Sequence, residues 1–198
     1  MKGKTVSITG SFQGIEKQII LTKSIVQILG FAVLTGISAG LKLEIGAVPV
    51  TAQTLIVLLS GALLGSKKGA LSQFTYLAGG LIGFPWFSRG GGMVYIMSPT
   101  FGYILGFVLA SYFTGLLFEK GWDKEIKKSV LVLLIASFAI YIPGLLWLAR
   151  FIGFSKILTV GFYPFVIGDI LKISLVALIL SFSLKQKKVE SLNNLEIK

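Results

Sequence analysis

The chain contains no cysteine and no histidine. Their absence excludes thiolate and imidazole metal sites, disulfides, and any histidine acid–base catalyst. Charge is scarce too: 14% of the 198 residues are charged, and only 8 are acidic. A soluble domain of this length needs more polar surface than that. What takes its place is apolar, with 54% hydrophobic residues and a mean hydropathy of +0.86. The apolar runs approach or exceed the ~18–20 residues that cross a ~30 Å hydrocarbon core. The expected class is therefore all-α, a polytopic membrane protein with six transmembrane helices. The spans are expected at 19–40, 51–65, 69–85, 101–118, 129–149 and 157–184, in one membrane domain over 1–198 that ends in a tail at 185–198. No soluble domain, long linker or strong internal repeat interrupts the pattern. The run from Ile19 lacks a small-residue cleavage signature and is followed by further spans, so it is expected to be a span and not a signal peptide.

The formal charge of +11 raises the question of nucleic acid, and the placement of the charges answers it. On the side that six spans assign to both termini lie Lys2, Lys4, Lys17, Lys23, Lys67, Lys68, Lys120, Lys124, Lys127, Lys128, Lys185, Lys187, Lys188 and Lys198. The opposite loops hold Lys42, Arg89, Arg150 and Lys156, a split of 14 to 4. Such a bias places both termini in the cytoplasm and makes the excess charge a feature of topology and of the lipid surface. No basic face interleaved with stacking aromatics is seen, so no nucleic-acid partner is expected. The inner connections are short and lysine-rich, GSKKG and FEKGWDKEIKK. The outer loops mix Gly, Pro, aromatics and isolated polar groups: LKLEIGAVPVTAQT, GFPWFSRGGGMVYIMSPTFGY and RFIGFSKILTVGFYPF. Irregular backbone near membrane depth persists only where protein or a wet cavity satisfies it, so a pocket open to the exterior is expected.

Within the last span, FVIGDILKIS places Asp169 and Lys172 on one helix face in the outer half of the membrane. Each intramembrane charge costs at least ~2.5–3.5 kcal/mol on insertion scales, and such groups normally face a cavity. A structural ion pair and a ligand site are the two readings. Gly161, Pro164 and Gly168 favour the second, because they permit a broken helix entrance and close backbone approach. Arg89 reads equally as a substrate clamp or a headgroup contact. The Gly90–Gly92 run lacks a following GK[ST] and reads as a flexible turn. Trp86, Tyr103, Tyr141, Trp147 and Tyr163 stand near span ends, where aromatic residues anchor at the interface, with one or two expected to touch a ligand. Thr51, Gln53 and Gln73 are uncharged polar groups in spans, suited to bonds between helices or to a ligand. Ala32, Gly36 and Gly40 form a small-residue stripe that lets another helix approach, either within the chain or from a partner.

Five segments read together resemble a known family: VPVTAQTLIVLLSGALLG (48–65), GALSQFTYLAGGLIGFPWF (69–87), SPTFGYILGF (98–107), PGLLWLA (143–149) and PFVIGDILK (164–172). In combination they resemble BioY, the biotin-binding S component of energy-coupling-factor (ECF) vitamin transporters, over about residues 45–180. The resemblance implies a six-helix S-component fold, a deep pocket near the outer face, and capture of biotin without a cofactor. It implies partners as well, a membrane coupling subunit and two ATPases, and no Walker A pattern occurs here. It assigns Asp169 and Lys172 to substrate binding and, less securely, Arg89; Gln73, Tyr76, Trp86, Thr51, Gln53 and Tyr141 complete the expected substrate-binding set, and the resemblance implies docking on the coupling subunit for Ala32, Gly36 and Gly40. Two departures stand out. The family pattern GPTGGY is SPTFGY here, which puts Phe101 in the outer loop, and PWFSRGGG is more aromatic and basic than usual. Asp169 suits the two N–H donors of the ureido ring, while Lys172, Arg89 or loop amides suit the valerate carboxylate; a network of Asp169, Lys172 and Arg89 around the ureido ring is an equal reading. An autonomous secondary transporter for biotin or another small carboxylate is the alternative, but it calls for inverted repeats and paired broken helices. An enzyme is not expected, since clustered carboxylates, histidine and cysteine are all missing.

Overall fold

A computed structural model describes the backbone over residues 3–196 and side chains over 15–182. The elements are α1 (Gly3–Ser38), a short hairpin of β1 (Lys42–Leu43) and β2 (Val50–Thr51), α2 (Gln53–Ile82), α3 (Phe101–Glu119), α4 (Ile126–Ile152), α5 (Ile157–Gly161) and α6 (Tyr163–Glu196). The two strands pair antiparallel, Lys42 opposite Thr51 and Leu43 opposite Val50. The expected tail at 185–198 continues α6 as far as Glu196; its side chains and residues 197 and 198 lie outside the described residues. So do the side chains of Lys2, Lys4, Lys185, Lys187, Lys188 and Lys198.

Among the described residues five helices are long and apolar enough to cross a membrane, one fewer than the six expected. The difference lies in α2, which joins the expected spans 51–65 and 69–85 in one helical run with a break at Gly65 (φ 81°, ψ 178°). Its arms, 53–64 and 66–82, rise only roughly 18 Å and 25 Å, each short of a full hydrocarbon core. They fold back on each other. Gln73 Nε2 donates to Ser60 Oγ at 3.0 Å, and Gln53 Nε2 donates to the Tyr76 hydroxyl at 2.6 Å, although 23 positions separate Gln53 from Tyr76. A straight helix would hold those two roughly 35 Å apart. Glycine permits both the turn and the contact. The backbone at Gly65 lies in a region open essentially to glycine alone, and a β-carbon at Gly69 would sit 2.9 Å from Gly61 Cα. At the bend Glu119 accepts the Ser66 amide at 2.7 Å and the Ser66 hydroxyl at 2.8 Å, satisfying the free N-terminus of the second arm.

Helices α2, α3 and α4 form the centre, with Val57, Leu58, Val132, Leu133 and Leu148 fully enclosed. A polar knot crosses it: Gln73 bonds Thr35 of α1 at 3.3 Å as well as Ser60, and Ser60 meets Ser111 of α3 at 2.8 Å. Among its described side chains, helix α1 buries Ala32, Thr35, Gly36 and Ser38 against the rest of the chain and leaves Ile25, Val26, Val33 and Ile37 exposed. The expected span 157–184 is broken at Phe162, between α5 and α6, with Pro164 in the first turn of α6, where its missing N–H removes no helical bond.

Candidate functional site: a polar-walled cavity at the loop end

The hairpin, the loop 83–100 and the α5–α6 break gather at the end of the molecule opposite Gly65. They close over a cavity walled by the start of α2, the loops, α3, α4 and α6. Its apolar wall is Val48, Pro49, Ile104, Phe107, Ile140 and Phe165, and its polar wall includes Thr51, Gln53, Thr54, Ser88, Tyr95, Thr100, Tyr103, Tyr141, Asp169 and Lys172.

The charged corner is built on α6 and α4. Lys172 Nζ lies 3.2 Å from Asp169 Oδ1, one helical turn away, and the Tyr141 hydroxyl donates to the other carboxylate oxygen. Both charged side chains are mostly buried, at 13% exposure for Asp169 and 15% for Lys172. A carboxylate offers about four lone-pair sites, so two protein donors leave it able to accept N–H groups from a ligand. Gly168 brings α6 close to the hairpin: a β-carbon there would lie 3.5 Å from Val50 Cγ1. Around this corner most of the neutral polar groups are paired. Thr51 meets Gln53 at 3.1 Å, and the Tyr95 hydroxyl meets Ser88 and Thr100 at 2.9 Å each. Tyr103 donates to the Gly161 carbonyl at 2.9 Å, which ties α3 to the α5–α6 break.

The residues singled out in the sequence divide into two groups. Asp169, Lys172, Thr51, Gln53 and Tyr141 line the cavity together, and Tyr103 joins them. Gln73, Tyr76, Trp86 and Arg89 do not line it. Gln73 is enclosed in the knot between helices, and Tyr76 is enclosed behind the cavity wall, accepting from Gln53 and donating to the Trp86 carbonyl at 3.2 Å. Trp86 packs on α1 and α2, its ring tilted against Tyr76 with centroids 5.6 Å apart. Arg89 is neither in the cavity nor free for a headgroup: it pairs with Glu44 at 2.7 Å and donates to the Ala47 carbonyl at 3.3 Å. Lys42 completes this clasp, 2.9 Å from Glu44 and donating to the Ser88 carbonyl at 2.6 Å. Hydrogen bonds from Lys42 and then Arg89 hold the Glu44 carboxyl below its ordinary range. Phe101, the departure in the outer loop, packs edge-on against Trp147 and stays out of the cavity.

In the small-residue stripe, Ala32 is 1% exposed and a β-carbon at Gly36 would lie 2.7 Å from Trp86 Cβ, so both are covered within the chain itself. Gly40 alone is exposed. Sequence reasoning missed Thr54, Ser88, Tyr95 and Thr100. Of these, Tyr95 carried a signal, as an aromatic residue between the glycine run and SPT in a loop already marked as a cavity roof.

Comparison with known proteins agrees with this architecture. The chain is 37% identical over 157 residues to a protein of Lysinibacillus sphaericus described as a probable biotin transporter BioY, covering 75% of this chain and 80% of that one. A probable biotin transporter BioY of Pyrococcus horikoshii is 40% identical over 143 residues, covering 72% and 84%. The crystal structure of an S component for biotin from an ECF-type ABC transporter superposes with a TM-score of 0.73 over 80% of this chain and 89% of that one. Identity to it is 22%, so it bears on the fold. Residues 7–188 match the BioY family, and the chain belongs to that family.

Proposed function

We propose that this chain is the biotin-capturing S component of an ECF-type transporter, taking biotin from the outer face of a prokaryotic plasma membrane. The observation that carries the reading is the Asp169–Lys172–Tyr141 corner set into a cavity whose remaining wall is largely apolar and aromatic. Biotin combines a ureido ring with two N–H donors, an apolar thioether ring and a carboxylate-tipped chain. Asp169 accepts ureido N–H groups, with Tyr141 and Lys172 holding its charge and aim. Tyr103, Phe107, Ile140 and Phe165 pack on the thioether ring and the chain. Nothing in this set performs chemistry, as befits a protein that only binds and releases. The biotin transporters among its relatives support the substrate.

The 14-to-4 distribution of Lys and Arg supports cytoplasmic termini and an outward cavity. Energy then comes from partners, a membrane coupling subunit and two ATPases, while surrounding lipid covers the exposed apolar flanks. The direct test is to denature the purified protein and identify released small molecules by mass spectrometry. Biotin at near-equimolar amount after growth in biotin is the expected result. A different vitamin at that stoichiometry, with no biotin, would overturn the assignment.

A further inference from the structure

Among the described residues two buried side-chain polar atoms lack a hydrogen-bond partner, Thr54 Oγ1 and Trp86 Nε1. Only Thr54 lines the cavity. Its isolation follows from its place in the chain. Thr35, Thr75 and Thr114 each donate to the carbonyl four residues back, at 2.8 Å in every case. Thr54 is the second residue of α2, and the residue four back, Val50, is in a strand, so no helical carbonyl is aligned to receive its hydroxyl. The other neutral polar side chains of the cavity wall are engaged with protein groups, as described above. A buried hydroxyl without a partner destabilises the unliganded protein, and such groups in a native structure call for an explanation.

We infer that Thr54 is a ligand-binding residue whose hydroxyl donates to an acceptor oxygen of the bound molecule and helps to set specificity. The inference rests on the biotin reading above. Biotin carries such oxygens at both ends, the ureido carbonyl and the valerate carboxylate. Turning about χ1 among staggered wells re-aims the hydroxyl and leaves the backbone of α2 in place. A site that hydrogen-bonds its substrate rejects analogues lacking the matching atom more strongly than an apolar pocket does.

The test is biotin titration calorimetry on the full-length, detergent-purified protein with Thr54→Val and Thr54→Ser, together with melting of each unliganded protein. Valine matches the shape and removes the hydroxyl. The expected result is a loss of affinity of about three- to tenfold for Thr54→Val, near-native binding for Thr54→Ser, and an unliganded melting temperature for Thr54→Val at or above wild type. This opposition of weaker binding and undiminished stability is not produced by a packing role. Repeating the titrations with biotinol, which lacks the carboxylate, assigns the contact: an effect of Thr54→Val that vanishes places it at the carboxylate, and one that persists places it at the ureido carbonyl. Unchanged biotin affinity in Thr54→Val overturns the inference, and so does a Thr54→Val protein that melts lower or fails to fold. Absence of biotin binding in wild type is a separate outcome, which removes the functional reading and this inference with it.

Discussion

Asp169 carries the highest stakes of any single residue, because a carboxylate within a membrane-spanning helix is tolerable only with donors around it. Lys172 and Tyr141 supply them. Breaking a buried pair by removing one partner is more damaging than removing both, since the survivor is left uncompensated. Lys172→Met is therefore expected to lower both thermal stability and biotin affinity. The double variant Lys172→Met/Asp169→Asn should regain melting temperature while binding stays weak. Recovery of both by the double variant would make the two charges a purely structural pair. The sequence disclosed this corner because full charges in an apolar run have few explanations. It also disclosed Thr51 and Gln53, and with the same signal it flagged Gln73, which lies away from the cavity wall. Whether a polar side chain in a span meets a ligand or another helix depends on which way the second arm of α2 returns, and that is tertiary information.

Three elements position the cavity, and each has a weak point. The bend of α2 needs Gly65, so Gly65→Ala is expected to destabilise the fold by about 1–3 kcal/mol, read as a lower midpoint in thermal or denaturant melting. The added methyl would also crowd the Glu119 carboxylate that caps the second arm. The GSKKG turn was legible, but five helices against six was not, because arms this short span the core only as a packed hairpin. The α1–Trp86 contact is the second. Gly36→Leu must displace the indole and is expected to lose about 1–3 kcal/mol through overpacking, with biotin binding and uptake falling together. Uptake lost with binding and melting intact would return the stripe to a partner-facing role. The third element is the clasp of Lys42, Glu44 and Arg89 between two loops that both contribute cavity wall. Glu44→Gln is expected to speed biotin release, measured by stopped-flow chase at low salt, with little change in association. Because the Glu44 carboxyl is held low in the folded protein, the clasp contributes above the ordinary carboxylate range and is lost as pH falls through the depressed value. The release rates of wild type and Glu44→Gln should accordingly differ at neutral pH and converge in acid.

At the scale of the whole molecule, apolar flanks on α1, α4 and α6 face outward while the polar groups gather in the knot and in the cavity. Composition alone made this a membrane protein, and the order of five motifs made it a BioY-family chain. Orientation is checked by single cysteines at Lys67, beside the bend, and Val94, on the loop end, in a chain that has no cysteine of its own. An impermeant maleimide applied to intact cells should label position 94 and spare position 67, and the reverse would turn the cavity toward the cytoplasm. The most direct measurement of the central claim is titration calorimetry of biotin into purified wild type and Asp169→Asn, each shown to be folded by melting. Asparagine keeps the shape but removes the charge-assisted bond, worth ~1.5–3 kcal/mol, and turns an amide donor toward donors. The account expects one biotin per wild-type chain and at least about tenfold weaker binding by Asp169→Asn; equal affinity in the two folded proteins would contradict it.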